Sequence, residues 1–256
     1  MAFALEFENI SHSFGDYQAV EGVSLQIPEG AFYSLVGPSG CGKSTLLNIA
    51  AGLLSPTSGV TRVLSKSLTG INKRAGYMFQ QDALMPWKTV LENITLGPQL
   101  QSRDATAEAM EWIKRVGLDG FAHHYPSQLS GGMRKRVAMA QTWINSPEII
   151  LMDEPFGALD VHTRLRMESE ILDLWTGSDK TVLFITHDLE EAIALSDRVA
   201  ILSAGPGSRI AGCFEVNLPR PRNLIDIRTD PDFHELYSKI WISLREEVLK
   251  SYDRQK

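Results

Sequence analysis

Phe32-Tyr33-Ser34-Leu35-Val36 runs directly into Gly37-Pro38-Ser39-Gly40-Cys41-Gly42-Lys43-Ser44, and Leu46, Leu47, Ile49, Ala50 and Leu53 follow at helical spacing. A dense β-like run, a glycine-rich turn and a buried helix that stops near Pro56 are the order these residues predict. The turn matches GxxxxGK[ST] and sits between strand and helix, as that pattern requires. Polyphosphate needs many donors at close range; glycines let backbone N–H groups turn inward, and a helix N-terminus adds a favourable dipole. On this reading Gly37, Pro38, Ser39, Gly40, Cys41, Gly42, Lys43, Ser44 and Thr45 cradle ATP. Lys43 reaches the β- and γ-phosphates and the Ser44 hydroxyl ligates Mg²⁺. The bland alternative is a chance glycine turn with a surface lysine.

Outward from that turn, two strongly apolar runs, Ile149 to Met152 and Val182 to Thr186, flank a helix-like stretch from Leu165 to Trp175 and read as central parallel strands buried on both faces. The first run ends in Asp153-Glu154. A carboxylate at a strand end can complete a Mg²⁺ shell, and a second one beside it, Glu154, can orient and deprotonate an attacking water. Taken alone, the same pair reads as an acidic turn after a core strand. Earlier in the chain, Leu5 to Ile10 and Val23 to Ile27 read as short strands. Between them and the carboxylates, Gln81 to Ser146 reads as a mainly helical insertion. Ala105, Ala109, Ile113 and Val116 mark one helix there, and a second is expected over 132–145. Beyond Leu218-Pro219-Arg220-Pro221-Arg222, which breaks regular structure, Asp230 and Pro231 open a last helix. Its apolar stripe is Phe233, Leu236, Tyr237, Ile240, Trp241, Leu244 and Val248.

Composition bounds the function. The 256 residues carry 25 Lys and Arg against 31 Asp and Glu, a formal charge of −6, so bulk attraction to nucleic acid is not favoured. No apolar run approaches the roughly 18 to 20 residues of a membrane span. The start, from Met1 to Glu6, has neither a basic region nor an apolar stretch of a secretory signal, and a cytosolic location is expected. Cys41 and Cys213 are the only cysteines and lack metal-site spacing. Cys41, at a helix N-terminus beside Lys43, is expected to be an activated thiol, or else only a small residue tolerated for its size.

Leu129-Ser130-Gly131-Gly132-Met133 resembles the LSGGQ signature of the ABC-transporter ATPases, and other short motifs follow that family's order. Gln80, ending the run Gly76-Tyr77-Met78-Phe79, resembles the Q-loop glutamine that reaches the metal and the attacking water. Ala158-Leu159-Asp160 is similar to the D-loop, His187 after Thr186 to the switch histidine, and Phe14 to the aromatic residue that stacks on adenine. The resemblance covers about Leu5 to Pro206. It implies a P-loop NTPase core with a parallel central sheet, an antiparallel β subdomain and a helical insertion carrying the signature. Catalysis would fall to Glu154, His187, Lys43 and Gln80, with Mg²⁺ held by Ser44, Gln80 and Asp153. It further implies a head-to-tail dimer in which Ser130, Gly131 and Gly132 of one copy close on ATP held by the other, with Asp160 also counted among the nucleotide-binding residues. Residues 1–210 would form this ATPase domain, with the insertion at about 81–146, and 211–256 a short extension.

Gln80 to Trp87 with Val90 and Asn93, the signature itself, and the tail from Leu218 to Glu247 resemble the importers of nitrate, sulfonates, taurine and related solutes. Such a chain would sit at the cytoplasmic face of the membrane and power a separate permease, fed in turn by a solute-binding protein. In that group the surface around Pro86 and Trp87 receives a short permease helix; the plain alternative is a local turn with a core tryptophan. Two positions depart from the pattern: Met133 stands where glutamine is usual, and Gln141-Thr142 replaces Arg-Ala. An exporter or lipid-trafficking ATPase would share all the catalytic motifs. A soluble mechanical ATPase on DNA or ribosomes is disfavoured by the single cassette, the absence of a heptad run and the acidic balance.

Overall fold

The computed structural model describes residues 2–157 and 159–253; of the residues singled out above, Met1 and Ala158 lie outside them. In chain order the strands and helices are β1 (Phe3–Phe14), β2 (Tyr17–Pro28), β3 (Phe32–Val36), α1 (Lys43–Ala50), β4 (Ser58–Val63), β5 (Lys66–Ser67), β6 (Ala75–Met78), α2 (Val90–Ile94), α3 (Leu96–Leu100), α4 (Thr106–Arg115), α5 (Gly131–Trp143), β7 (Ile149–Asp153), α6 (Val161–Trp175), β8 (Thr181–Ile185), α7 (Leu189–Leu195), β9 (Arg198–Leu202), β10 (Ile210–Glu215) and α8 (Pro231–Asp253).

Two sheets organise them. The larger runs β10-β9-β3-β8-β7-β6, parallel throughout except that β10 pairs antiparallel with β9 at one edge. The smaller, β2-β1-β4-β5, is antiparallel. β3 and β8 are buried at every position, as expected of parallel strands covered on both faces. Alternate residues of the central strands feed two cores. Tyr33, Leu35, Leu151 and Ile185 join Leu46 and Leu47 of α1 and the inner face of the small sheet; Phe32, Ile150, Met152 and Phe184 join the insertion and α7.

The register fixes where chemistry happens. Asp153 lies opposite Ile185, so the loops leaving β7 and β8 emerge side by side at the carboxyl edge of the sheet, next to the turn leaving β3. Glu154 donates its backbone N–H to the Ile185 carbonyl at 2.9 Å and takes a left-handed conformation, φ 42°. A non-glycine residue there costs about 1 kcal/mol or more, a strain that clusters at working sites.

Several sequence expectations change. β1 and β2 are far longer than the runs that marked them, because their outer residues are polar and half-exposed. α7 and β9, which the periodicity did not single out, are wholly formed. Trp87 is 71% exposed, which overturns the core-tryptophan alternative. Trp241 is exposed while Phe233, Ile240 and Leu244 are buried, so the inward stripe of α8 is narrower than its apolar pattern. Among the described residues, no helix is long and apolar enough to cross a membrane.

Candidate active site

The loop between β3 and α1 wraps the start of the helix. Gly42 takes a left-handed conformation, φ 90°, and a Cβ there would stand 2.6 Å from Val20 Cγ1 and 3.1 Å from the Ala19 carbonyl. Only glycine lets the loop seat against β2 in that way. Lys43 is buried, and its Nζ donates to the carbonyls of Gly37 and Pro38, both at 2.9 Å. The ammonium is thus carried over the turn rather than left in solvent.

Beside it, the Ser44 hydroxyl donates to Asp153 Oδ1 at 3.1 Å, and Tyr77 Oη lies 3.5 Å from Oδ2. Burial, opposed by the Ser44 hydrogen bond, holds the Asp153 carboxyl above the usual carboxylate range. A hydroxyl and a half-buried carboxylate facing each other across 3 Å form a hard-oxygen donor pair of the kind Mg²⁺ takes, together with substrate phosphates. One residue on, Glu154 Oε2 meets His187 Nδ1 at 3.1 Å and Gln80 Nε2 at 3.4 Å. Three loops, after β6, β7 and β8, thereby converge on one carboxylate oxygen.

These groups line a cleft of about 550 Å³ whose walls include Phe14, Ser39, Gly40, Cys41, Gly42, Lys43, Ser44, Thr45, Gln80, Glu154 and His187. Phe14 stands exposed at its rim, edge-on to His12. Tyr17 and Ala19 also line it, and Tyr17 Oη donates to the Gly40 carbonyl at 3.3 Å. Neither was singled out from the sequence; a tyrosine three residues after Phe14 in a hairpin has no motif to mark it.

The signature residues are elsewhere. Ser130 caps α5 by accepting from the Met133 N–H at 3.3 Å, and Ser130 and Gly131 face solvent away from the cleft. Asp160, which caps α6 through Thr163 N, is likewise exposed and does not line the cleft. α5 is nevertheless tied to the Gln80 loop. Buried Lys135 donates to the carbonyls of Gln80 (2.5 Å) and Phe79 (3.3 Å) and pairs with Asp82; Arg134 spans Asp82 (2.9 Å) and the Leu129 carbonyl (2.8 Å). The substituted pair is quietly housed: Gln141 Nε2 donates to the Asn93 carbonyl and Thr142 Oγ1 to that of Ala138.

Cys41 corrects the expectation of a reactive thiol. Its side chain is fully buried in the core that holds Leu46 and Leu47 of α1, with Lys43 Nζ at 3.8 Å. Burial pushes the thiol up, outweighing the ammonium and backbone donors that would favour the thiolate. Cys213 is the exposed cysteine.

Comparison with known proteins agrees with this geometry. The family model described as ABC transporter matches residues 20–157. An uncharacterized ABC transporter ATP-binding protein of Methanocaldococcus jannaschii is 45% identical over 258 residues, covering 98% of this chain and 95% of that one. An aliphatic sulfonates import ATP-binding protein of Bacillus thuringiensis is 41% identical over 230 residues, 90% of each chain. A bicarbonate transport ATP-binding protein of Synechococcus elongatus is 41% identical over 257 residues, 96% of this chain but 39% of that longer one. Among solved structures, a dimeric ATP-binding cassette in a post-hydrolysis state with ADP and Pi aligns with a TM-score of 0.74 and 32% identity, over 84% of this chain and all of that one. A P-loop, the paired carboxylates of β7 and a family match over more than half the chain lead to one conclusion: the chain belongs to the ABC transporter family and is an ATPase of the ATP-binding cassette type.

Proposed function

We propose that this ATPase is the motor of an importer for a small solute: two copies close head to tail on two ATP molecules and drive a separate permease from the cytoplasmic side of the membrane. The observation that carries the hydrolytic part is the convergence of Gln80, His187 and Glu154 on one oxygen at the mouth of the phosphate loop. Glu154 takes the proton of the attacking water; His187 and Gln80 hold its carboxylate and face the γ-phosphate. Lys43 and the N–H groups of the loop bind the phosphates, and Phe14 stacks on adenine. Phosphoryl transfer asks for positioning and charge stabilisation more than covalent work, which this set supplies.

Ser44, Asp153 and Gln80 would hold Mg²⁺, which when bound neutralises charge on the β- and γ-oxygens. Ser130, Gly131, Gly132 and Asp160 complete the partner's site, a reading supported by the exposure of Ser130, Gly131 and Asp160, none of which lines the chain's own cleft. Residues 1–210 make the cassette and 211–256 the extension. For the permease contact, the supporting observation is the solvent-facing Pro86-Trp87 turn before α2. The solute class, nitrate, a sulfonate, taurine or bicarbonate, is drawn from what the relatives are named for.

The test is reconstitution with candidate permeases and solute-binding proteins, following uptake of each labelled solute. ATP-dependent uptake that vanishes with Glu154→Gln supports the proposal. ATP-driven efflux, or hydrolysis indifferent to every permease offered, refutes it.

A further inference from the structure

The segment after β10 reaches back under the catalytic loops. His187 is the apex of a turn between β8 and α7, and both its neighbours are pinned. The Thr186 hydroxyl donates to Glu191 Oε2 at 2.5 Å and accepts from the Asp188 N–H, while Asp188 caps α7 through the N–H groups of Glu190 and Glu191. Arg164 of α6 lies 3.5 Å from Asp188 and 3.7 Å from Glu191, and donates to the Leu159 carbonyl at 3.3 Å, the residue before Asp160. A single guanidinium therefore seats both the turn that bears His187 and the loop that bears Asp160.

Behind Arg164 the two buried carboxylates, Glu168 and Glu191, share one guanidinium unless the C-terminal segment supplies a second. Glu168 of α6 is 0% exposed and Glu191 is buried; Asp188 and Glu190 face the same cluster. The second cation is Arg228, which pairs with Glu168 at 2.9 Å and Glu190 at 3.5 Å. The same segment grips the far end of α7. Arg222, buried, donates to the carbonyls of Ile193, Ala194 and Ser196, and Arg220 to that of Leu195, capping the helix terminus with cationic donors. Phe233, Ile240 and Leu244 of α8 share a core with Leu189, Ala192 and Ile193. The helix that follows His187 is thus fastened at both ends by residues 220–244.

We propose that Arg228 is a positioning residue for ATP hydrolysis: it balances the buried carboxylates on which the turns of His187 and Asp160 rest, making the C-terminal segment a working part of the catalytic unit. The inference rests on reading His187 and Asp160 as site groups. Removing one cation from a buried cluster leaves Glu168 uncompensated, and the stranded charge disfavours ionisation of the carboxylates around it. Glu168 is raised by burial and held down by Arg228, and its charge in turn raises Glu191, which already stands at about 7 chiefly through burial, so the loss of Arg228 reaches Glu191 through Glu168 near neutrality. Once Glu191 is protonated it no longer accepts strongly from Thr186, and the His187 turn loosens.

The experiment uses the full chain at concentrations where it hydrolyses ATP, with kcat, KM and fluorescent-nucleotide binding followed from about pH 6 to about pH 9. In Arg228→Met, kcat near pH 7 falls about tenfold with KM and nucleotide affinity within about twofold, and the acid limb of the kcat profile moves up by about one pH unit. Arg228→Lys keeps the limb where it is. Adding Glu168→Gln to Arg228→Met removes the stranded charge and returns the limb, a readout that also serves if the single variant folds poorly. A loss equal at every pH, a fall in nucleotide affinity matching the fall in kcat, or an unmoved profile overturns the proposal. His187→Ala separates the two levels: wild-type hydrolysis in that variant defeats the reading of the site, whatever Arg228 does.

Discussion

The phosphate loop and the signature turn are both glycine-rich, and both open a helix, yet they are built to opposite ends. At α1 the helix opens on a left-handed glycine with no side-chain cap, its donors turned into a cleft and its lysine folded over the loop. At α5 a serine caps the helix in the ordinary way, and the turn faces solvent. The first has a cleft with a carboxylate, a histidine and a glutamine opposite it; the second does not line that cleft, and its Gly132 stands against Thr163 of α6. A helix N-terminus attracts anions in both cases. What separates a binding site from half of one is the set of groups facing it.

The most damaging way to strain this comparison is to remove the chemistry from the complete side. Lys43→Ala is expected to lower nucleotide affinity by about a hundredfold or more, since a buried ammonium lost from a phosphate cradle has no substitute. Glu154→Gln keeps binding but cuts phosphate release by about 10² to 10⁴. Equilibrium nucleotide binding and steady-state phosphate release on both variants check this, and normal turnover in Glu154→Gln would remove the general base from the account.

Damage to the incomplete side should look different. Ser130→Arg is expected to leave ATP binding by the single chain within about twofold and to cut hydrolysis by about tenfold or more, if, as proposed, the turn serves another copy's nucleotide. Mixed with Lys43→Ala, it should regain activity that neither variant has alone: one of the two composite sites then keeps an intact phosphate loop and an intact signature. No recovery on mixing would mean the turn acts within its own chain.

A third surface sharpens the contrast between half-sites and docking sites. Trp87→Ala should shift the melting midpoint little, the side chain being exposed, and leave basal ATPase within about twofold. Its association with the permease should weaken by about thirtyfold, the range of an aromatic hot spot. Co-purification with the permease checks it. The smallest effect is expected for thiol chemistry: a maleimide should label Cys213 in the native chain without loss of ATPase, and reach Cys41 only after unfolding. Mass spectrometry of peptides labelled before and after denaturation decides it, and labelling of native Cys41 would show that the phosphate loop opens.

Legibility followed the locality of the signal. The strand, turn and helix around Lys43 were readable because glycine spacing and an apolar run fall within about twenty residues. Asp153 and Glu154 were readable as the end of a run buried on both faces. Tyr17 was not, because an exposed hairpin residue gains a role only when β1 and β2 are placed over the loop. β9 was missed although Val199 to Leu202 form an apolar run, since no motif drew attention to it. Arg222 and Arg228 lie in a proline-broken stretch that reads as solvent-facing, and only tertiary structure reveals carbonyls and carboxylates waiting for them. Cys41 went wrong for a related reason: its neighbours in sequence suggested an electropositive setting, while its neighbours in space are the apolar side chains of a core.

The bridge from α5 to the Gln80 loop bears on how a partner copy would be felt. Lys135, buried, and Arg134, partly exposed, hold Phe79, Gln80, Asp82 and Leu129 from a single turn of helix. Packed, hydrogen-bonded assemblies of this kind transmit displacement rather than absorb it. On the proposed reading, the arm that would lean on a neighbour's nucleotide and the glutamine that would face its own form a single lever with two ends, and pressure at one end would arrive at the other as a change in aim.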